Sequence, residues 1–187
     1  MMIHKKLAIF DMDGTLFDTS EVNYRAYAAA AKKFGFVIER ETFMNSYVGK
    51  NYKDFLPLFG IKTESDLHAV HQEKKLQYPS CLAYARINQA LFDVIDTLKE
   101  KYITILATTA SKKNVLDILN YFCVEEYFDF LITQEDTVRL KPDPECYLQA
   151  MQIAGVKSED TIIFEDSEIG IQAAQASGAN VYKVCGF

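Results

Sequence analysis

The sequence lacks the marks of a metal-thiolate, membrane or nucleic-acid-binding protein. Its four cysteines are widely spaced and form no CxxC pair, which favours reduced thiols over a disulfide framework or a zinc site. No apolar run reaches the ~18 residues of a transmembrane helix, and the apolar residues 7–10 are too few for a signal-peptide core. A formal charge of -6 without a basic stripe argues against nucleic acid. We therefore expect a soluble cytoplasmic protein without a membrane or nucleic-acid partner.

Five short apolar runs rich in Ile, Val and Phe predict the strands of one sheet. They are almost continuously hydrophobic, which is typical of parallel strands buried on both faces. Helical periodicity fills the intervals between the last four runs. This alternation predicts a doubly wound, Rossmann-like parallel α/β sheet of about five strands. The predicted strands are residues 6–10, 103–108, 129–133, 161–165 and 180–184.

One predicted helix carries clear signals at both ends. In "DPECYLQAMQIAG", Asp143 is a candidate N-cap, Pro144 fits the first helical position and Gly155 marks the stop.

The interval between the first two strands, residues 11–102, is much longer than one crossover requires. It contains several helical segments, which Gly35, Gly49 and Gly60 punctuate. We therefore predict an inserted all-helical domain at residues 17–85 and an α/β core domain at residues 1–16 and 86–187.

Polar residues follow the predicted strands at their carboxyl ends, which gather into one crevice in a doubly wound sheet. By strand, the residues at these exits are Asp11, Asp13 and Thr15, then Thr109, Ala110 and Ser111, then Lys141, and finally Glu165 and Asp166. Four acids, a lysine and the Thr109 hydroxyl are therefore expected to converge there.

This set of residues suits a phosphoryl group. Four carboxylates in one crevice need a cation, and their hard oxygen atoms suit Mg²⁺. Thr109 and the free N–H groups at a helix start would seat the phosphate. One carboxylate can then attack phosphorus while another handles the proton.

Each element also has a structural interpretation when it is taken alone. "DMDG" is compatible with a solvated turn, Thr109 with a helix cap, Lys141 with a surface lysine and "FEDSE" with a helix start. His68 and His71 have a metal-capable i, i+3 spacing, but no further ligand is nearby, so we expect a solvated helix face. The order of the other elements along the chain favours a site.

These motifs resemble the haloacid dehalogenase superfamily. "DMDGTLFD" matches its first motif DxDGTxxD, "LATTAS" the second, "LKPDP" the third and "IIFEDSEIGIQAA" the fourth. The position of the insertion is similar to the helical cap of the phosphoglycolate phosphatase and β-phosphoglucomutase-like branch. The resemblance implies a Mg²⁺-dependent phosphatase acting on a small phosphorylated metabolite.

The resemblance also implies the role of each reacting side chain. Asp11 is expected to be the nucleophile that forms a phosphoaspartyl enzyme. Asp13 protonates the leaving oxygen and then activates water, whereas haloalkanoate dehalogenases of the superfamily lack this second Asp. Lys141 neutralises charge on the nucleophile and the phosphate. Asp18 is interpreted as a structural acid where the chain leaves for the cap.

The binding residues follow from the same resemblance. Thr109 and the Ala110 amide are expected to hold the phosphate, with Thr108 as the alternative hydroxyl if the register shifts by one. The expected metal ligands, direct or through water, are Asp11, the Asp13 carbonyl, Glu165 and Asp166.

A sugar phosphomutase is the alternative function. The β-phosphoglucomutases carry a cap His and a cap Arg at places where this sequence has Asn23 and Tyr52, which favours a phosphatase. Lys53 is a further candidate cap contact. A non-enzymatic receiver domain has its acid pair before the phosphorylated Asp, and a silent binding protein would normally have lost a motif residue. We expect a monomer or weak homodimer.

Overall fold

The computed structural model describes residues 6–187, so the basic start of the chain, which falls in the predicted core domain, lies outside the described residues. The strands are β1 (Lys6–Phe10), β2 (Phe17–Asp18), β3 (Arg86–Ile87), β4 (Tyr102–Ala107), β5 (Phe130–Ile132), β6 (Thr161–Glu165) and β7 (Asn180–Lys183). The α-helices are α1 (Ser20–Lys33), α2 (Arg40–Ser46), α3 (Tyr52–Phe55), α4 (Glu64–Gln77), α5 (Gln89–Leu98), α6 (Lys112–Phe122), α7 (Glu145–Ala154) and α8 (Glu168–Ala176). None of these helices is both long and apolar enough to cross a membrane.

The main sheet has the strand order β5-β4-β1-β6-β7, and every neighbouring pair is parallel. This confirms the predicted doubly wound sheet of five strands. The chain order reverses between β1 and β6, and this switch point is where ligands bind in open α/β sheets. The run predicted at residues 129–133 is shorter than expected, because β5 pairs with β4 over only three residues. β2 and β3 form a separate two-stranded sheet.

The central strand β1 is buried on both faces. Leu7 and Ile9 pack into one apolar cluster with β4, β6, α7 and α8, while Ala8 and Phe10 alternate to the other face. Phe10 stacks on Phe164 of β6 at a ring-centroid distance of 4.6 Å. Burial on both faces explains why the hydrophobicity of this run is continuous instead of alternating.

The ends of α7 differ slightly from the prediction. The helix begins at Glu145, one residue later than expected, because Pro144 has a non-helical ψ of 3° and occupies the cap position. Asp143 still contributes from one residue further out, since its Oδ1 accepts the Glu145 N–H at 3.0 Å. Gly155 ends the helix in the left-handed region, at φ 64°, as predicted.

The chain divides into two compact units. The α/β unit consists of the chain up to Asp18 together with Ile87–Phe187, and the helical unit is Thr19–Arg86. The helical unit has an aromatic interior of its own, in which Phe43 and Phe55 are almost fully buried and meet edge to face at 5.4 Å. Each unit therefore encloses its own hydrophobic core.

Candidate active site

Asp11 directly follows β1 and is held in a buried ion pair. Its carboxylate Oδ1 lies 2.6 Å from Lys141 Nζ, and its amide donates to the Phe164 carbonyl at 3.0 Å. Burial, and then the negative charge of Glu165, raise the pKa of Asp11 well above its usual value, although Lys141 opposes the shift. A further cation beside Asp11 would oppose this shift in pKa and favour the ionised carboxylate.

Lys141 bridges two carboxylates at the floor of the site. Its ammonium donates to Asp11 Oδ1 at 2.6 Å, to Glu165 Oε2 at 2.7 Å and to the Ala107 carbonyl at 3.3 Å. The side chain is only 4% exposed. Burial would lower the pKa of Lys141, but Asp11, Tyr147 and Glu165 together raise it well above its usual value. Lys141 therefore stays protonated as a fixed positive charge.

The loop that carries Lys141 is tied down by the first residue of α7. The Glu145 carboxylate accepts the backbone N–H groups of Val138 and Arg139 at 2.8 and 3.0 Å and also the Arg139 side chain. These bonds explain how an ordinary loop lysine is presented to a buried site.

Glu165, the last residue of β6, is fully buried and accepts bonds on both oxygens. Oε1 accepts from the Asp166 N–H at 3.2 Å and from the Ser167 N–H and hydroxyl at 3.1 and 2.8 Å. Oε2 accepts from Lys141 at 2.7 Å and from the Tyr147 hydroxyl at 2.6 Å. Burial would raise the pKa of Glu165, but Lys141 and the other donors lower it below its usual value.

Two glycines make room for the acids. A Cβ on Gly170, in the first turn of α8, would overlap the Glu165 carboxylate. Gly14 has a φ of +89°, and a Cβ there would overlap the carboxylate of Asp166. Asp166 is oriented by the Thr15 hydroxyl, which donates to its Oδ1 at 2.8 Å. Burial is the largest cause that raises the pKa of Asp166.

Three carboxylates, those of Asp11, Glu165 and Asp166, have oxygens within 4.8 Å of one another. When all three are ionised, the ammonium of Lys141 offsets one of their charges and two remain, which fits a divalent cation with a preference for oxygen. The side chain of Asp13 is half-buried and is not part of this group; its backbone bridges to Phe17.

The segment after β4 differs from the predicted helix start. Thr109 is exposed and precedes the first helical residue, Lys112, by three positions, because Ser111 caps α6. Thr108, directly after β4, is 3% exposed, and its hydroxyl accepts the Ala110 N–H at 3.1 Å. The Lys112 N–H donates to Glu135 at 2.8 Å. Several of the N–H groups expected to be free at this helix start are therefore engaged by side chains.

The candidate contacts of the helical unit are held by neighbours within that unit. Asn23 donates to the Thr19 hydroxyl at 3.1 Å, and Lys53 pairs with Glu64 at 3.6 Å. The ring of Tyr52 stacks on His71, with centroids 3.9 Å apart and planes 6° apart.

The expectation of a solvated histidine face is correct for His68, which is exposed, and wrong for His71. His71 is half-buried against Tyr52 and bonded to the Tyr27 hydroxyl at 2.9 Å. Packing against rings from two other helices covers part of the His71 ring, and the spacing of the two histidines does not reveal this packing.

Tyr147 is a site neighbour that the sequence motifs did not reveal. It is fully buried, and its hydroxyl bonds to Glu165. Burial is the largest cause that raises the pKa of Tyr147 far above its usual value. The sequence feature that could have indicated Tyr147 is its place on the apolar face of α7, together with Cys146 and Ala150. This face is buried in the structure.

Comparison with known proteins identifies the family. A family model described as haloacid dehalogenase-like hydrolase matches residues 8–184. The chain is 30% identical over 177 residues to the phosphorylated carbohydrates phosphatase of Thermotoga maritima, covering 91% of this chain and 80% of that protein. It is 25% identical over 177 residues to a fructose-1-phosphate phosphatase of Escherichia coli, covering 94% of each.

Solved structures agree with this assignment. A putative β-phosphoglucomutase from Thermotoga maritima superposes with a TM-score of 0.76 at 29% identity, covering 97% of this chain and 86% of that one. CbbY from Rhodobacter sphaeroides, in complex with phosphate, shares the fold with a TM-score of 0.85 at 24% identity, covering 98% and 87%. The chain is an enzyme that belongs to the haloacid dehalogenase-like hydrolase family.

Proposed function

We propose that this protein is a Mg²⁺-dependent phosphatase that hydrolyses a small phosphomonoester through a phosphoaspartyl intermediate on Asp11. The observation that carries the proposal is the buried pairing of Asp11 with Lys141 beside Glu165 and Asp166, whose oxygens lie within 4.8 Å of the Asp11 carboxylate. The names of the two similar phosphatases support a phosphorylated carbohydrate as the substrate class.

In the first step, Asp11 attacks phosphorus. Because Lys141 already occupies Oδ1, we assign the attack to Oδ2. A new oxygen–phosphorus bond forms to Asp11 as the ester bond to the leaving oxygen breaks. Asp13 donates a proton to that oxygen, which leaves as an alcohol. Positioned proton transfer of this kind contributes roughly 10²–10⁴ in rate.

In the second step, water attacks the phosphorus of the phosphoaspartate. Asp13, now ionised, takes the proton from the water, and the bond between phosphorus and Asp11 breaks. The products are inorganic phosphate and the original Asp11 carboxylate. Lys141 stays charged throughout, so it stabilises the negative oxygens in both steps.

The metal is proposed to sit among Asp11, Asp166, Glu165 and the Asp13 carbonyl. When bound, Mg²⁺ supplies charge neutralisation for the phosphoryl oxygens. Because both Glu165 oxygens already accept hydrogen bonds, we propose that Glu165 acts mainly through its charge or through a water.

The phosphate is proposed to bind at the segment after β4, with Lys141, one of two threonine hydroxyls and the Ala110 amide as donors. The amide would then exchange its bond to the Thr108 hydroxyl for one to the phosphate. Thr109 is exposed, and Thr108 is buried at the strand end. Thr108→Val and Thr109→Val separate the two, since the variant that loses the phosphate-binding hydroxyl should show the larger rise in KM.

Choice of substrate is assigned to the helical unit, which is inserted directly after Asp18. Among the alternatives, a sugar phosphomutase requires groups that hold a second phosphate. Tyr52, at the place of the mutase cap Arg, is stacked on His71 and carries no charge for that purpose. Product analysis with a sugar phosphate separates the two functions, because a mutase yields an isomer with little free phosphate.

The test is phosphate release from an aryl phosphate with Mg²⁺ and with chelator. Asp11→Asn should abolish release, and chelator should abolish it in the wild type. Asp160→Asn, which changes an exposed aspartate of the same unit, is the matched control and should leave release unchanged. Full activity of Asp11→Asn, or phosphate release by the wild type that is the same with and without chelator, would refute the mechanism.

A further inference from the structure

We propose that Tyr147 is a positioning residue, whose hydroxyl shares Glu165 Oε2 with Lys141 and thereby holds the Lys141 ammonium midway between Glu165 and Asp11. The inference rests on the proposed function, because it assigns Tyr147 to the arrangement that orients the nucleophile. The Tyr147 hydroxyl bonds to Glu165 and not to Asp11, so in this scheme it acts through Glu165 and Lys141.

Tyr147 lies in apolar surroundings, and its hydroxyl finds its hydrogen-bond partner at Glu165. The residue is fully buried on the face of α7 that packs on the sheet, in the same apolar cluster as Ile9 and Ile163. A buried hydroxyl without a partner costs about 1–3 kcal/mol. The bond to Glu165 Oε2, at 2.6 Å, satisfies it and places the only polar atom of the side chain at the site.

The hydrogen bonds around Glu165 explain what the hydroxyl does. A carboxylate oxygen has two lone pairs, and Oε2 receives two donors, Tyr147 at 2.6 Å and Lys141 at 2.7 Å. Oε1 is occupied by the Asp166 and Ser167 donors, so the carboxylate is fixed at both ends. Lys141 also lies 4.9 Å from the centre of the Tyr147 ring, which the positive charge favours.

Asp11 and Glu165 compete for the ammonium of Lys141. Lys141 lies 2.6 Å from Asp11 and 2.7 Å from Glu165, so the two carboxylates share its charge almost equally. Without the Tyr147 hydroxyl, Lys141 would be the only side-chain donor left on Oε2 among the described residues. Glu165 would then draw Lys141 toward itself and weaken its bond to Asp11 Oδ1.

The experiment compares Tyr147→Phe with wild type and with Tyr127→Phe. The Phe variant keeps the buried ring and removes only the hydroxyl. Tyr127→Phe is the matched control, because its hydroxyl bonds to Asp96, an exposed acid of the same unit. The measurements are kcat and KM for an aryl phosphate, Mg²⁺ affinity by titration calorimetry, and thermal unfolding.

Loss of an outer-shell partner typically costs 10–100-fold in metal affinity or activity. We expect Tyr147→Phe to lower kcat about tenfold or more with KM within about twofold, and to weaken Mg²⁺ binding several-fold, while Tyr127→Phe matches wild type. Tyr147→Leu separates packing from positioning, since it also removes the ring and should add a loss of thermal stability to the same loss of kcat.

The inference and the proposed function fail in different ways. If wild type is active and Tyr147→Phe retains its kcat and Mg²⁺ affinity, the inference is overturned and the proposed function stands. If wild type releases no phosphate, the proposed function fails, and calorimetry still tests Tyr147: equal Mg²⁺ affinity in both proteins, or no binding to either, overturns the inference as well.

Discussion

Two lysines, one in each unit, pair with acids in opposite surroundings. In the α/β unit, Lys141 lies between two carboxylates with only 4% of its side chain exposed. In the helical unit, Lys53 pairs with Glu64 while 54% and 82% of the two side chains are exposed, and the interior is built largely from aromatic rings. A buried charge is costly unless its partners are in place, whereas an exposed pair is screened by water. We therefore expect substitutions at the strand ends to impair catalysis, and those at exposed ion pairs or in the aromatic interior of the helical unit to leave kcat largely unchanged.

The largest expected effect comes from removing the buried ammonium. Lys141→Met should lower kcat by about 10²–10³, because a charge that stabilises the transferring phosphoryl group is lost. It should also destabilise the fold by about 3 kcal/mol at pH 7, since Asp11 and Glu165 are left without their shared cation. Lys33→Met, which removes a helical-unit lysine whose side chain is 56% exposed beside Glu73, should leave kcat unchanged and cost less than about 1 kcal/mol. Phosphate release and urea unfolding measure both effects, and equal behaviour of the two variants would contradict the comparison.

The second-largest effect is expected from a glycine beside the site, in contrast to a glycine in the helical unit. Gly170→Ala should displace the Glu165 carboxylate and lower kcat about 10- to 100-fold. Gly35, after α1, has a φ of +81° with open space around it, so Gly35→Ala should cost about 1 kcal/mol of stability and leave kcat unchanged. Kinetics and thermal unfolding of both variants check this, and a fully active Gly170→Ala would show that Glu165 tolerates displacement.

A third effect is a pH dependence of the helical unit. Burial, followed by the charges of Lys75 and Lys74, lowers the pKa of His71 to about 4. The unfolded chain, with its ordinary histidine pKa near 6.5, binds the proton more readily, so stability should fall as pH drops from about 6.5 to about 4. Partial exposure limits this loss to about 2 kcal/mol or less.

The measurement for His71 is urea unfolding at pH 7 and pH 4.5 of His71→Gln and of His68→Gln, which alters the exposed histidine three residues earlier. We expect the pH dependence to shrink in the first variant and to match wild type in the second. An equal change in the free energy of unfolding between pH 7 and pH 4.5 in both variants would show that His71 is protonated as easily in the folded protein as in the unfolded one.

The smallest effect lies in the α/β unit but away from the strand ends. Cys123 ends α6 in the left-handed region, at φ 56°. Gly155 ends α7 in the same conformation, which costs a glycine little. Cys123→Gly should relieve this strain and stabilise the protein by roughly 0.5–1 kcal/mol without changing kcat. A destabilised variant, seen by thermal unfolding, would show that the contacts of the thiol outweigh the strain.

Much of the α/β unit could be predicted from the sequence, because burial on both faces produces continuous apolar runs that stand out. β1 and β6 lie within their predicted ranges, and the strand ends bring Asp11, Lys141 and Glu165 together. Parallel strands fix which residues share an edge, so convergence follows from topology without any knowledge of loop shape.

Other features depend on contacts between distant residues that local patterns do not encode. Tyr147 looks like an ordinary apolar-face residue of α7 until its hydroxyl meets Glu165. The start of α6 at Lys112 is set by the Ser111 cap, and a shift of one residue decides whether Thr108 or Thr109 is buried at the strand end. His71 becomes half-buried only when Tyr52 packs on it.

The most direct test of the central claim, that Asp11 is the nucleophile, is acid quenching during turnover of a phosphate ester with Mg²⁺, followed by peptide mass spectrometry. The account predicts one phosphoryl group on the peptide that contains Asp11, absent without substrate and absent in Asp11→Asn. Steady phosphate release by the wild type with no phosphoryl group on that peptide, together with release by Asp11→Asn, would contradict the account.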